Sequence, residues 1–158
     1  RFDAVTLLNV LEHLADPLAV IRELRERVIE PGGVLVVDVP NEFNDFQTAA
    51  RAVLDLPEWW VAPPAHLNYF SGDSLKALLE DHGFAVRVLE ASFPLEMFLL
   101  MGDRYVGDPE LGRLCHEKRM AFEANLRAQG RTEKLRGLYR ALAELNLGRQ
   151  VVAFAVAV

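Results

Sequence analysis

Apolar and polar positions along the chain change period several times, and each change marks an element. Ala4-Val5-Thr6-Leu7-Leu8 is a short apolar run of strand formers, and Asp16-Pro17 behind it reads as a helix start, Asp as cap and Pro at the first helical position. Leu18, Ile21, Leu24 and Val28 recur at helical spacing against Arg22, Glu23, Arg25 and Arg27. That spacing predicts a helix with one stripe on a sheet and the other in water, ended by Pro31-Gly32-Gly33. Val34 to Val39 is nearly all apolar, which predicts a central parallel strand covered on both faces and broken by Pro40-Asn41.

Residues 42 to 70 carry no clear period and read as irregular. A helix signal resumes at Ser71, with Leu75, Leu78 and Leu79 behind it and Gly83 closing it. Phe84 to Leu89 alternates, which suits a strand near the sheet edge, and Val151 to Val158, apolar throughout, predicts an interior strand beside it. Between these two strands, Leu111, Leu114, Cys115, Phe122 and Leu126 mark one helix and Leu135, Leu138, Tyr139, Leu142 and Leu145 a second, punctuated by Gly130 and Gly148. The expected fold class is α/β, with one partial domain over 1–94 and 150–158 and a helical insertion over 95–149.

Composition narrows the function classes. With 158 residues and 51% hydrophobic content, the chain has enough apolar material for one buried core. A net charge of -6 and the absence of basic blocks argue against a nucleic-acid partner and favour a small molecule. Cys115 is the only cysteine, so no internal disulfide forms, which fits a cytoplasmic protein. The longest apolar run is far short of the ~20 residues that span a bilayer, and no membrane role is expected. Because the first residue is Arg1 and a strand begins at once, the chain reads as a piece of something longer.

Five spaced motifs carry a resemblance: Phe2-Asp3-Ala4-Val5, Val10-Leu11-Glu12-His13, Asp16-Pro17, Pro31-Gly32-Gly33 and Pro40-Asn41. Together they resemble the C-terminal half of a class I, Rossmann-like S-adenosylmethionine-dependent methyltransferase of the small-molecule type, from residue 2 to about residue 90. The segment His66-Leu67-Asn68-Tyr69-Phe70-Ser71 also looks like the family's pattern after its fifth strand. The resemblance implies the second half of that fold's sheet, parallel strands plus an antiparallel last strand, with the helical insertion before it. It also implies a glycine-rich loop and an acidic strand end that hold the cofactor, and neither is here; no Gly-x-Gly occurs in the chain.

In open parallel sheets ligands sit beyond the carboxyl ends of the strands, which directs attention to Leu8 through His13 and to Asn41. By resemblance, Leu8, Asn9 and Val10 line the S-adenosylmethionine site, although Leu8 and Val10 equally suit core packing and Asn9 a turn. His13 and His66 are candidate general bases, since an imidazole with pKa near ~6.5 can take a proton from an acceptor hydroxyl. His66 equally suits a loop anchor. Ubiquinone-pathway and small-RNA methyltransferases use Glu-x-x-Glu-His plus a later His around a divalent ion. Here Asn9 replaces the first Glu, leaving Glu12, His13 and His66 as metal candidates, with Mg2+ as the ion. Asn41, Trp59, Trp60 and Tyr69 are candidate acceptor contacts, with Phe43 and Phe46 as further parts of an apolar lid; ordinary packing is the competing role for each aromatic. His82 and His116 read as capping or surface residues.

Three function classes follow. The first is a methyltransferase for a small acceptor, inactive in the absence of the glycine loop. The second is a binding or assembly module that pairs through the unpaired edge of its first strand, with a homodimer as the expected assembly. A nicotinamide-dependent oxidoreductase ranks last, because it too needs a glycine fingerprint and the Glu12-His13 and Asp16-Pro17 pattern does not belong to it.

Overall fold

A computed structural model describes all residues, 1–158. Four strands form one sheet: β1 (Phe2–Leu8), β2 (Ile29–Pro40), β3 (Phe84–Ala91) and β4 (Gln150–Ala157), in the order β1-β2-β4-β3. β1 and β2 run parallel, and β4 lies antiparallel between β2 and β3. The last strand is thus interior and β3 lies at an edge, as the alternation and the apolar run predict. β1 forms the other edge.

Helix starts follow local chemistry. The Asp16 carboxylate accepts from the Ala19 amide, and Pro17 opens α1 (Pro17–Glu23), which continues as a wider turn over Leu24–Val28. Ser71 caps α3 (Gly72–Asp81) through a capping box with Ser74. A second capping box, Asn44 with Gln47, starts α2 (Asp45–Leu54) inside the stretch expected to be irregular. Between β3 and β4 lie α4 (Glu96–Leu100), α5 (Pro109–Ala128) and α6 (Thr132–Glu144). None of these helices is long and apolar enough to cross a membrane.

The core lies on one face of the sheet. Leu35, Val37 and Val39 of β2 and Val151, Ala153 and Ala155 of β4 form one buried cluster with Leu11, Ile21, Leu75 and Leu79. The small β4 side chains let the α3 leucines approach the sheet closely. On the opposite face Val34, Val36, Asp38, Val152, Phe154 and Val156 are only partly covered, which corrects the expectation of a strand buried on both sides. Leu18 likewise departs from its predicted stripe and is exposed.

Pro31-Gly32-Gly33 does not end the helix, which stops at Val28. The triplet lies in a bulge at the start of β2: Phe2 pairs with Ile29 but Ala4 with Val34, so the residues between loop out. A Cβ at Gly33 would stand 2.9 Å from the Glu30 carbonyl oxygen and 3.1 Å from that of Asp3, so only glycine fits the crossing. Gly148 is similarly constrained, with φ +114° and a built Cβ 2.7 Å from the Ser92 carbonyl oxygen. This turn brings Arg149 and Gln150 back beside the ends of β1 and β2.

Candidate functional site

A cavity of about 390 Å³ opens at the carboxyl ends of β1 and β2. Its first wall is the loop after β1. Asn9 takes a left-handed conformation (φ 53°), and its amide donates to the Asp38 carbonyl at the end of β2. The chain then turns through a short 3-10 segment, Leu11–His13, which buries Leu11 and Glu12 and leaves the His13 side chain about half exposed.

The second wall is clamped onto the first. Leu67 and Asn68 amides donate to the Glu12 carbonyl at 2.7 and 3.1 Å, and Asn68 Nδ2 donates to the carbonyls of Leu11 (3.1 Å) and Leu14 (2.7 Å). These bonds place Ala65-His66 against His13. The His13 Nδ1 lies 2.6 Å from the Ala65 carbonyl oxygen, which can only accept, so Nδ1 carries the proton and Nε2 is left free toward Glu12 Oε1 at 3.7 Å. The His13 and His66 rings meet edge to face at 5.0 Å. Asn68 is a positioning residue the sequence reading did not single out. Asn68→Ala removes both side-chain bonds, and a loss of about 2 kcal/mol in urea denaturation is expected; an unchanged midpoint would show that the clamp does not depend on it.

Glu12, His13 and His66 offer ligand atoms that all lie within 4.8 Å of one another. Glu12 Oε2 and His66 Nδ1 are buried with no hydrogen-bond partner. Asn9 does not join this set, because its Oδ1 accepts from Gln150 Nε2 at 2.8 Å.

Trp59 and Trp60 line the cavity and pack edge to face at 4.7 Å. Two other predicted contacts stand elsewhere. Asn41 is fully buried and spends its Nδ2 on the Asn146 (3.1 Å) and Gly148 (3.2 Å) carbonyls, so it fixes the β4 entry turn and does not face the cavity. Tyr69 supports the loop from behind: its hydroxyl accepts from the Ala62 amide at 3.2 Å and its ring meets Phe43. Phe43 bridges to Trp60, whereas Phe46 makes no such aromatic contact. Leu8 is 56% exposed at the strand end and Val10 partly so, which removes core packing as the role of Leu8.

Four polar lining residues were not anticipated: Glu42, Gln47, Arg149 and Gln150. Gln47 Nε2 donates to Glu42 Oε2 at 2.8 Å, and burial raises the Glu42 pKa against the opposing pull of that bond and of Arg149. Asp38, the single charge in the apolar run from Val34 to Val39, is a further signal. Burial and the neighbouring Glu12 push its pKa from 3.8 up to about 6, and its Oδ1 has no partner. Between these two values the folded chain holds a proton that the unfolded chain releases, so stability falls as pH rises through that window. Asp38→Asn is expected to raise the melting temperature at pH 7 and to leave it nearly unchanged at pH 4; equal shifts at both would contradict the ionisation argument.

Residues 1–89 match the model of a family described as methyltransferase domain. No curated protein matches the chain. Among solved structures, the cyclase SpnF is similar with TM-score 0.51 and 19% identity, over 99% of this chain and 50% of that one. An S-adenosylmethionine-dependent methyltransferase from Archaeoglobus fulgidus is similar with TM-score 0.51 and 17% identity, over 99% and 59%. The chain therefore spans between half and three-fifths of the length of these proteins, and the likeness shows a shared fold.

Proposed function

The chain belongs to the methyltransferase-domain family, and we propose that it supplies the acceptor side of a methyl transfer from S-adenosylmethionine to a small molecule. The observation that carries this reading is the convergence of Glu12, His13 and His66 at the carboxyl ends of the parallel strands, beside two indoles. The sulfonium is an activated donor, so the site has chiefly to align the acceptor in line with the methyl carbon and exclude water. The acceptor atom bonds to the methyl carbon as the carbon–sulfur bond breaks, and the acceptor's proton passes to an imidazole. His13 is prepared for this, because its Nδ1–H is held by Ala65 and its Nε2 lone pair is free. Trp59 and Trp60 form the apolar wall against which the acceptor lies. Leu8, Asn9 and Val10 would meet the cofactor from below, with the remaining contacts, including the glycine loop, coming from sequence beyond these residues.

A second reading of the same side chains is a divalent ion. The buried, unpartnered Glu12 Oε2 and His66 Nδ1 are the atoms a cation would satisfy, and the Ala65 carbonyl orients His13 as an outer-shell partner does in metal sites. One carboxylate and two imidazoles suit an ion of borderline softness such as Mn2+ or Zn2+ better than Mg2+, which seeks oxygen donors. Bound there, the ion would supply Lewis-acid polarisation of the acceptor oxygen.

Both readings are tested by incubating the complete protein with methyl-labelled S-adenosylmethionine and a panel of small hydroxyl and amine acceptors. Transfer of label is expected. No label in any acceptor, with no S-adenosylhomocysteine formed, would remove the enzyme reading. Loss of transfer on chelation, restored better by Mn2+ than by Mg2+, assigns the ion; transfer indifferent to chelation leaves the imidazoles as bases.

A further inference from the structure

A second, smaller cavity of about 220 Å³ adjoins the first and shares Arg149 and Gln150 with it as a common wall. Its own lining differs in character: His116 and Arg119 from α5 face Ser92 and Phe93 after β3. Two arginines therefore line one small space in a chain whose net charge is -6.

Each guanidinium is held from behind by a buried carboxylate. Arg149 Nη1 donates to Glu96 Oε1 at 3.1 Å, and Glu96 is fully buried. Arg119 Nη1 donates to Glu123 Oε1 at 2.8 Å. Glu123 is shared, because Arg127 donates to its other oxygen at 2.9 Å and the Tyr139 hydroxyl to Oε1 at 2.8 Å. The two lining guanidinium groups are thus each oriented by one carboxylate, with Arg127 holding the far side of Glu123. Arg149 Nη2 has no protein partner, and Arg119 Nη2 meets only the His116 Nε2 at 3.4 Å. Pre-oriented guanidinium edges with free N–H groups are the arrangement that binds planar or tetrahedral oxyanions.

Resting on the methyl-transfer reading, we propose that the acceptor spans both cavities and that its oxyanion, a phosphate or a carboxylate, binds between Arg119 and Arg149 in the smaller one. The reacting atom then lies in the larger cavity beside His13 and His66, and Arg149 and Gln150 form the wall that both ends of the acceptor touch. His116, expected from sequence to be a capping or surface residue, accepts from Arg119 Nη2 through Nε2 and so helps to orient that guanidinium. Selectivity follows from hydrogen bonding: an acceptor without the anionic group leaves the N–H groups of Arg149 Nη2 without a partner.

Inorganic phosphate and acetate, titrated separately into the chain at constant chloride ionic strength, test the subsite through the arginine Nε–Hε and His116 ring resonances. One anion is expected to shift Arg119, Arg149 and His116 saturably while leaving Arg136, which pairs with Glu90, unmoved. A preference for phosphate assigns a phosphorylated acceptor and a preference for acetate a carboxylic one. Arg119→Gln is expected to weaken binding about tenfold or more. Arg119→Lys, which keeps the charge opposite Glu123 and loses the planar fork, is expected to weaken it less and guards against a folding defect in the first variant. No saturable shift with either anion, or equal shifts at Arg136, would overturn the proposal. Since the cofactor is absent from this titration, such a result is read separately from any failure of methyl transfer.

Discussion

Replacing His13 or His66 by alanine is expected to lower methyl-transfer turnover in the complete protein by about 10²- to 10⁴-fold, the range over which a positioned proton acceptor acts. The melting temperature should move by only a few degrees. The His13 side chain is 45% exposed and makes one hydrogen bond, to the Ala65 carbonyl, so little packing is lost with it. His66 leaves Nδ1 unpartnered already, and the loop that carries it is held by Asn68 and by backbone amides, not by the imidazole. The two rings touch, so their effects should not add: the double variant is expected to be little worse than the poorer single one, as for groups that work as a unit. Initial rates and thermal melts of the three variants check this. Turnover unchanged in both single variants would reduce the pair to loop anchors, the competing role that sequence leaves open for His66.

What sequence reveals here is local chemistry. Asp16-Pro17 starts a helix and Ser71 caps one because each acts on amides within four residues, and the final strand reads as interior because Val151 to Val158 has no polar face to spare. Helix α2 escapes the apolar pattern because its buried side consists of Gln47 and Ala50; the Asn44-to-Gln47 capping box was its legible signal. Side-chain direction is the harder quantity. Asn41 and Asn9 are both amides at strand ends, yet Asn41 turns to carbonyls some 105 residues away in sequence while Asn9 meets Gln150 at the cavity rim. Nothing near either residue distinguishes these outcomes. For the same reason Glu42, Arg149 and Gln150 were invisible: they reach the cavity only because β4 returns between β2 and β3 and the Gly148 turn directs it. Glu12, His13 and His66 were found because motif spacing and tertiary contact coincide, and the Asn68 clamp is what makes them coincide.

S-adenosylmethionine titrated into the 158-residue chain is expected to give no saturable heat in calorimetry, whereas a longer polypeptide that adds a glycine loop and an acidic strand end before Arg1 binds it. Leu8 and Asn9 stand exposed at the rim, and the outer edge of β1 has its backbone groups unpaired. A cofactor placed there would meet protein on one side and water on the other. Two missing charge-assisted amide bonds alone forfeit about 3–6 kcal/mol, or roughly 10²- to 10⁴-fold in affinity, enough to move a micromolar site into the millimolar range. The partly covered sheet face of Val34, Val36, Phe154 and Val156 adds to this, since a complement packed there would hold β1 and β2 rigid and fix the strand ends that the cofactor touches. If the 158 residues alone bound S-adenosylmethionine tightly, the cleft would have to be closed by the cavity beside Glu12 and His13 without outside help, or by a second copy of the chain. Sedimentation with and without the cofactor separates those two cases, because only the second couples binding to a change in mass.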